Sequence, residues 1–146
     1  LRRNGITCVL VKMPFNMAIF NPNAADRVFD ALPDITTWYI GGHSMGGAMA
    51  SSYAATHKDR VKGLILLGAY IYGDVSPQKA LTVYGTLNAN LEENIDYTEN
   101  IVIIPGGNHA QFGDYGEQRG VPPATIGREE QQDIAVEAIL DFLAGN

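Results

Sequence analysis

Apolar positions along the chain gather in short runs, separated by polar, glycine- and proline-bearing stretches. Residues 6–12 (Ile-Thr-Cys-Val-Leu-Val-Lys) are almost continuously apolar, which predicts a strand buried on both faces and ended by Pro14. A loop rich in apolar residues follows over 15–23, and residues 24–32 read as a short helix closed by Pro33. The run at 37–40 is β-branched and aromatic and predicts a strand. Residues 45–57, with Gly47, Ala48, Ala50, Ala54 and Ala55, suit a helix pressed closely against a sheet. Further strands are expected at 61–67, 80–84 and 101–104, the first two joined by a short connection over 68–77. A long glycine-rich loop occupies 105–127, a length that points to function. The last helix, 129–143, carries Ala135, Ile139, Phe142 and Leu143 on one stripe, with Thr125 as its cap and Gly145 as its stop. Strands alternating with helices predict a single α/β domain over 1–146, a doubly wound, mostly parallel sheet flanked by helices.

Composition narrows the partners. In 146 residues, 16 acidic side chains outnumber 10 Lys and Arg, for a net charge of -6. That balance argues against nucleic acid or an anionic membrane as the main partner. The one cysteine, Cys8, lies in an apolar run and is expected in the core. The opening Leu1-Arg2-Arg3-Asn4-Gly5 resembles the last turn of a helix with a glycine stop, so the chain is expected to begin in mid-domain. An N-terminally truncated sheet of this kind implies either self-association across its open edge or further chain in the same molecule. Compartment and redox environment are not legible.

The chemistry centres on Gly42-His43-Ser44-Met45-Gly46. A serine between glycines, with a strand before and a small-residue helix after, reads as a nucleophile elbow, a sharp turn that exposes the hydroxyl above the sheet edge. A serine hydroxyl needs a base. His43, inside the turn, should point away from Ser44, and His57 suits the negative end of its helix; both read as structural. His109 sits in Gly106-Gly107-Asn108-His109, after the last strand and before the last helix. In a doubly wound sheet that loop opens on the same carboxyl edge as Ser44, and the order Ser…His fits a base. No spacing of histidines and acids suits a metal, and no cofactor is expected. Phe15, Met17, Ile19 and Phe20, on the loop after the first strand, are candidates to line a substrate pocket or to pack against the elbow helix. Tyr70, Tyr72, Phe112 and Tyr115 lie on carboxyl-edge loops and are substrate-binding candidates of the same kind, Phe112 among the first.

Three separated motifs carry a resemblance: Val11-Lys12-Met13-Pro14-Phe15-Asn16, Gly41-Gly42-His43-Ser44-Met45-Gly46-Gly47-Ala48-Met49-Ala50, and Gly106-Gly107-Asn108-His109-Ala110-Gln111-Phe112-Gly113-Asp114-Tyr115-Gly116. Together they resemble the α/β-hydrolase superfamily, in wording closest to its compact, lidless dienelactone-hydrolase-like branch, α/β-hydrolase fold-5. The resemblance implies acyl transfer from a small-molecule ester to water, with Ser44 as nucleophile, His109 as base and then acid, and the Met45 backbone N–H as an oxyanion donor. The family's second oxyanion N–H comes from a loop for which residues 1–146 hold no counterpart, and its N-terminal strands are likewise expected to be missing. Where the family places the triad's aspartate, in a Tyr-Gly-Ser-x-Asp pattern, this chain reads Tyr84-Gly85-Thr86-Leu87-Asn88. Asn88 thus holds the acid's position. Glu92, Glu93, Asp96 and Asp114 are the carboxylates near enough to substitute, Glu92 first. The alternative is a catalytically weak or inactive hydrolase-like binding domain.

Overall fold

Four parallel strands pair in chain order: β1 (Tyr39–His43), β2 (Gly63–Leu67), β3 (Ala80–Gly85) and β4 (Ile101–Ile104). They come from a computed structural model that describes residues 1–13, 21, 23–88, 90–114, 116 and 118–145. Three α-helices, α1 (Asp26–Ala31), α2 (Met45–Thr56) and α3 (Arg128–Ala144), accompany them. Side chains alternate across the sheet, as the period of two requires. Leu64, Leu66 and Ala80 meet Ala50, Tyr53 and Ala54 of α2 on one face. Leu81, Val83 and Ile104 meet Ala135, Ile139 and Phe142 of α3 on the other. The central strand β3 is buried along its whole length, because both of its faces are covered.

Small residues let α2 approach β1 and β2. Its buried Ser51 hydroxyl donates to the Tyr72 carbonyl and accepts the Tyr72 N–H, both at 2.8 Å, tying the loop after β2 to the helix. Because all strands run the same way, the ends of β1, β2, β3 and β4 open on one edge, where ligands of such sheets bind.

Three expectations are corrected. Residues 6–12 form no strand: Val9 is 43% exposed and Leu10 97%, and the Lys12 carbonyl accepts from the Arg27 guanidinium. An apolar run becomes a buried strand only when neighbours pair with it and layers cover both faces. Nothing among the described residues does either. Cys8 is accordingly exposed rather than in the core. Thr125 does not cap α3; the cap position is Gly127, while the Thr125 N–H is taken by the Gly106 carbonyl at 2.9 Å. Gly5 does close a short 3-10 turn over Arg2–Asn4, in the left-handed conformation. Among the described residues, no helix is long and apolar enough to cross a membrane.

Among the described residues, the outer edge of β1 has no strand partner. An open strand edge favours pairing with another strand, and exposed apolar residues such as Val9 and Leu10 favour association. Light scattering is expected to show a concentration-dependent species above the 15.8 kDa of one chain, suppressed by Leu10→Lys. A monodisperse monomer at all concentrations would contradict this.

Candidate active site

At Ser44 the chain turns out of β1 and into α2 with φ 54° and ψ −126°, a conformation that L side chains rarely adopt. Such strain costs about 1–3 kcal/mol and survives only where neighbours over-determine it. Here the Ser44 N–H donates to the Leu67 carbonyl on β2 at 3.0 Å, and the Ser44 carbonyl accepts from Gly47 and Ala48 in the first turn of α2. A Cβ on Gly42 would collide with the Gly46 carbonyl group and the Gly47 nitrogen, so glycine is required there. Gly46 differs: a Cβ there would meet nothing within 4 Å. The second close approach is made by Gly47, where a Cβ would lie 2.6 Å from that of Ala69. Among the described residues, no backbone acceptor takes the Met45 N–H at the start of α2.

The loop after β4 brings His109 to the same edge. Its Nδ1 lies 2.7 Å from Asn88 Oδ1, an arrangement in which the ring donates to the amide oxygen and leaves Nε2 unprotonated. Gly68, which follows β2 with φ 55°, forms the floor: a Cβ there would lie 2.9 Å from His109 Nδ1 and 3.4 Å from Asn88 Oδ1. A side chain at this position would displace the pair. Burial holds the His109 imidazole below the ordinary histidine value, so it stays neutral at neutral pH. Among the described residues, no hydrogen bond joins the Ser44 hydroxyl to His109; bonds of this kind are often long without substrate and tighten on binding.

Two further side chains, Gln131 and His43, hold this loop, although neither is among the residues expected at the site. Gln131 of α3 is fully buried, and its amide accepts from the Asn108 N–H at 3.0 Å and donates to the Asn108 carbonyl at 2.7 Å. Asn108 in turn donates to the Pro122 carbonyl and accepts from the Gln111 N–H. His43, read as structural, donates from Nε2 to the His109 carbonyl at 2.9 Å, the ring centroids 4.5 Å apart. A signal for Gln131 was present: it falls on the stripe of Ala135, Ile139 and Phe142, where a polar residue needs a buried partner.

The carboxylates named from the sequence are engaged elsewhere or turned to solvent. Glu92 accepts from the Tyr84 hydroxyl at 2.9 Å; burial, and then that carboxylate, push the hydroxyl up to about 12. Asp114 pairs with Arg128, and Glu93 and Asp96 are exposed. Phe112 packs against the His43 ring, with centroids 5.9 Å apart, and joins the core under α3. Phe15, Met17, Ile19, Phe20 and Tyr115 lie outside the described residues. His57 closes α2 with its ring stacked on Tyr53 at 3.9 Å. A cleft of about 440 Å³ opens beside His109 and Asn88, walled by Tyr70, Leu87, Leu91 and Val121, with no Asp, Glu, Lys or Arg among its described lining. Among the described residues, no cluster of His, Cys, Asp or Glu could hold a metal ion.

A family model described as the alpha/beta hydrolase family matches residues 1–133. No curated protein and no solved structure matches the chain.

Proposed function

Because the chain belongs to the alpha/beta hydrolase family, we propose that it is a serine hydrolase cleaving a small, uncharged ester through an acyl-enzyme on Ser44. The observation that carries this reading is the Asn88 Oδ1–His109 Nδ1 bond at 2.7 Å, on the edge where Ser44 is held in its strained turn. That bond directs the basic nitrogen of His109 away from Asn88. The proposed course is that the Ser44 hydroxyl attacks the acyl carbonyl as His109 Nε2 accepts its proton. The oxyanion takes the Met45 N–H. Collapse of the tetrahedral intermediate releases the alcohol, which receives the proton from the imidazolium. Water then attacks the acyl-enzyme, His109 again acting as base, and the acid and free Ser44 result. The cleft beside His109 is lined by no Asp, Glu, Lys or Arg among the described residues, and the protein's net charge of -6 disfavours an anionic substrate.

A fluorophosphonate probe is expected to label Ser44; Ser44→Ala should abolish labelling, and His109→Ala should slow it by about 10²-fold or more. Labelling of a different serine, or labelling that survives Ser44→Ala, would overturn the assignment. The second reading is a weak or inactive binding domain, favoured by the amide at Asn88 in place of a carboxylate. It predicts that Ser44 labels slowly while p-nitrophenyl acetate is not turned over.

A further inference from the structure

We propose that His43 is a positioning residue for the base, tying the His109 loop to the strand that carries the nucleophile through its Nε2–H···O=C bond to His109. The inference rests on the serine hydrolase reading and assigns a role to a residue which that reading leaves idle.

Strand geometry puts His43 where it can do this. Along β1, Tyr39 packs on the α3 face and Ile40 on the α2 face, so the alternation sends His43 to the α3 face. The loop bearing His109 crosses there, on its way from β4 to α3. Ser44 then leaves the strand with φ 54° and starts α2. Two covalently adjacent residues therefore serve one site from two directions, Ser44 at the sheet edge and His43 against the base loop.

The contact is specific. His43 Nε2 lies 2.9 Å from the His109 carbonyl oxygen, and the two rings are tilted by 40° with centroids 4.5 Å apart. Phe112 also packs against the His43 ring, tilted by 44°. A part-buried carbonyl needs a donor, and an apolar residue at position 43 would leave this one without it. His109 is thereby held at two points, its ring by Asn88 and its backbone by His43. Burial, and then the neighbouring His109, hold His43 below the ordinary histidine value, in the neutral form that carries one N–H donor. Losing the bond frees the base loop from the elbow without touching Ser44 itself. A displacement on the order of 1 Å is enough to cost about 10²-fold in rate.

The test compares two variants. His43→Gln places an amide N–H near the position of Nε2, whereas His43→Phe keeps a ring against Phe112 and removes the donor. Labelling of Ser44 by a fluorophosphonate is expected to stay within about threefold of the parent in His43→Gln and to fall about tenfold or more in His43→Phe. In a His109→Ala background, His43→Phe should cause no further loss, because a residue acting through His109 has nothing left to position. Equal labelling in His43→Phe and the parent, or an undiminished loss without His109, would overturn the proposal. The His109 imidazole ¹⁵N shifts provide a readout independent of activity. The Nδ1–H pattern should persist in His43→Gln and change in His43→Phe, and an unchanged pattern in both would sink the positioning role. If Ser44 fails to label in the parent while these shifts respond as expected, the hydrolase reading fails and the positioning contact stands.

Discussion

Replacing Asn88 with aspartate is expected to raise esterase turnover by about 10²-fold or more and to move the acid limb of the pH profile upward. In a serine protease the reverse change, aspartate to asparagine, dropped kcat by about 10⁴. The physical cause is twofold. An amide can present either its oxygen or its NH₂ to the ring, so it selects the productive tautomer weakly, and it does not stabilise the imidazolium that forms as Ser44 attacks. Asn88 already points its oxygen at His109 Nδ1, 2.7 Å away, so aspartate would enter an aligned position. A gain of 10² corresponds to about 2.7 kcal/mol of transition-state stabilisation. The sign of the pH effect follows from charge. Burial holds the His109 imidazole below the usual histidine value of about 6.5, placing the parent's acid limb under that pH. A carboxylate beside Nδ1 favours the protonated ring, so the limb moves to higher pH and the gain is read above it. Glu92→Gln should change turnover little, since Glu92 is bonded to Tyr84. If Asn88→Asp changes neither turnover nor the limb, Asn88 is not the partner of a working base. If Glu92→Gln collapses activity instead, the loop after β3 rearranges to bring that acid in.

Gln131→Leu is expected to cost about 3 kcal/mol of stability and to slow labelling of Ser44 at the same time. Leucine fills a similar volume and suits the stripe of Ala135, Ile139 and Phe142, so packing is nearly retained. What is lost is a donor and an acceptor for the Asn108 backbone, bonds of 3.0 and 2.7 Å in a fully buried setting. Each buried group left unpaired costs about 1–3 kcal/mol. For a domain of this size, 3 kcal/mol amounts to a fall in Tm of roughly 6–12 °C. Gln131→Glu should be at least as costly at neutral pH, because an ionised carboxylate there is buried without a cation and sets an oxygen against the Asn108 carbonyl. Urea unfolding checks the magnitude. A loss under about 0.5 kcal/mol would mean that the loop finds other partners and that Gln131 does not hold it.

The parts of the fold legible in the sequence were those whose pattern is local. The apolar run at 101–104 became β4 with those bounds, and the small-residue segment from Met45 became α2, ending at Thr56 beside His57. The stripe of Ala135, Ile139 and Phe142 does face the core. Residues 6–12 had the same local character as β2 and still formed no strand. Val9 and Leu10 lack what Leu64 and Leu66 have, paired neighbours on both sides and a helix above, and no window of sequence reports that.

The candidate site divides in the same way. Sequence by itself determined the elbow, because a serine with positive φ beside a glycine that admits no Cβ is a local demand, written in Gly42, Ser44 and the helix that follows. It also placed His109 on the carboxyl edge, since a parallel sheet sends every strand end there. Tertiary structure alone decided which group faces the imidazole. Asn88, Glu92 and Asp114 are all within reach by chain length, and only the folded loops turn Asn88 inward, Glu92 to Tyr84 and Asp114 to Arg128. Likewise Gln131 and His43 gain their roles from a loop 20 or more residues distant in the chain. The physical reason is range: backbone strain and periodicity act over a few residues, whereas a buried hydrogen bond joins whatever groups the packing of distant elements brings within 3 Å.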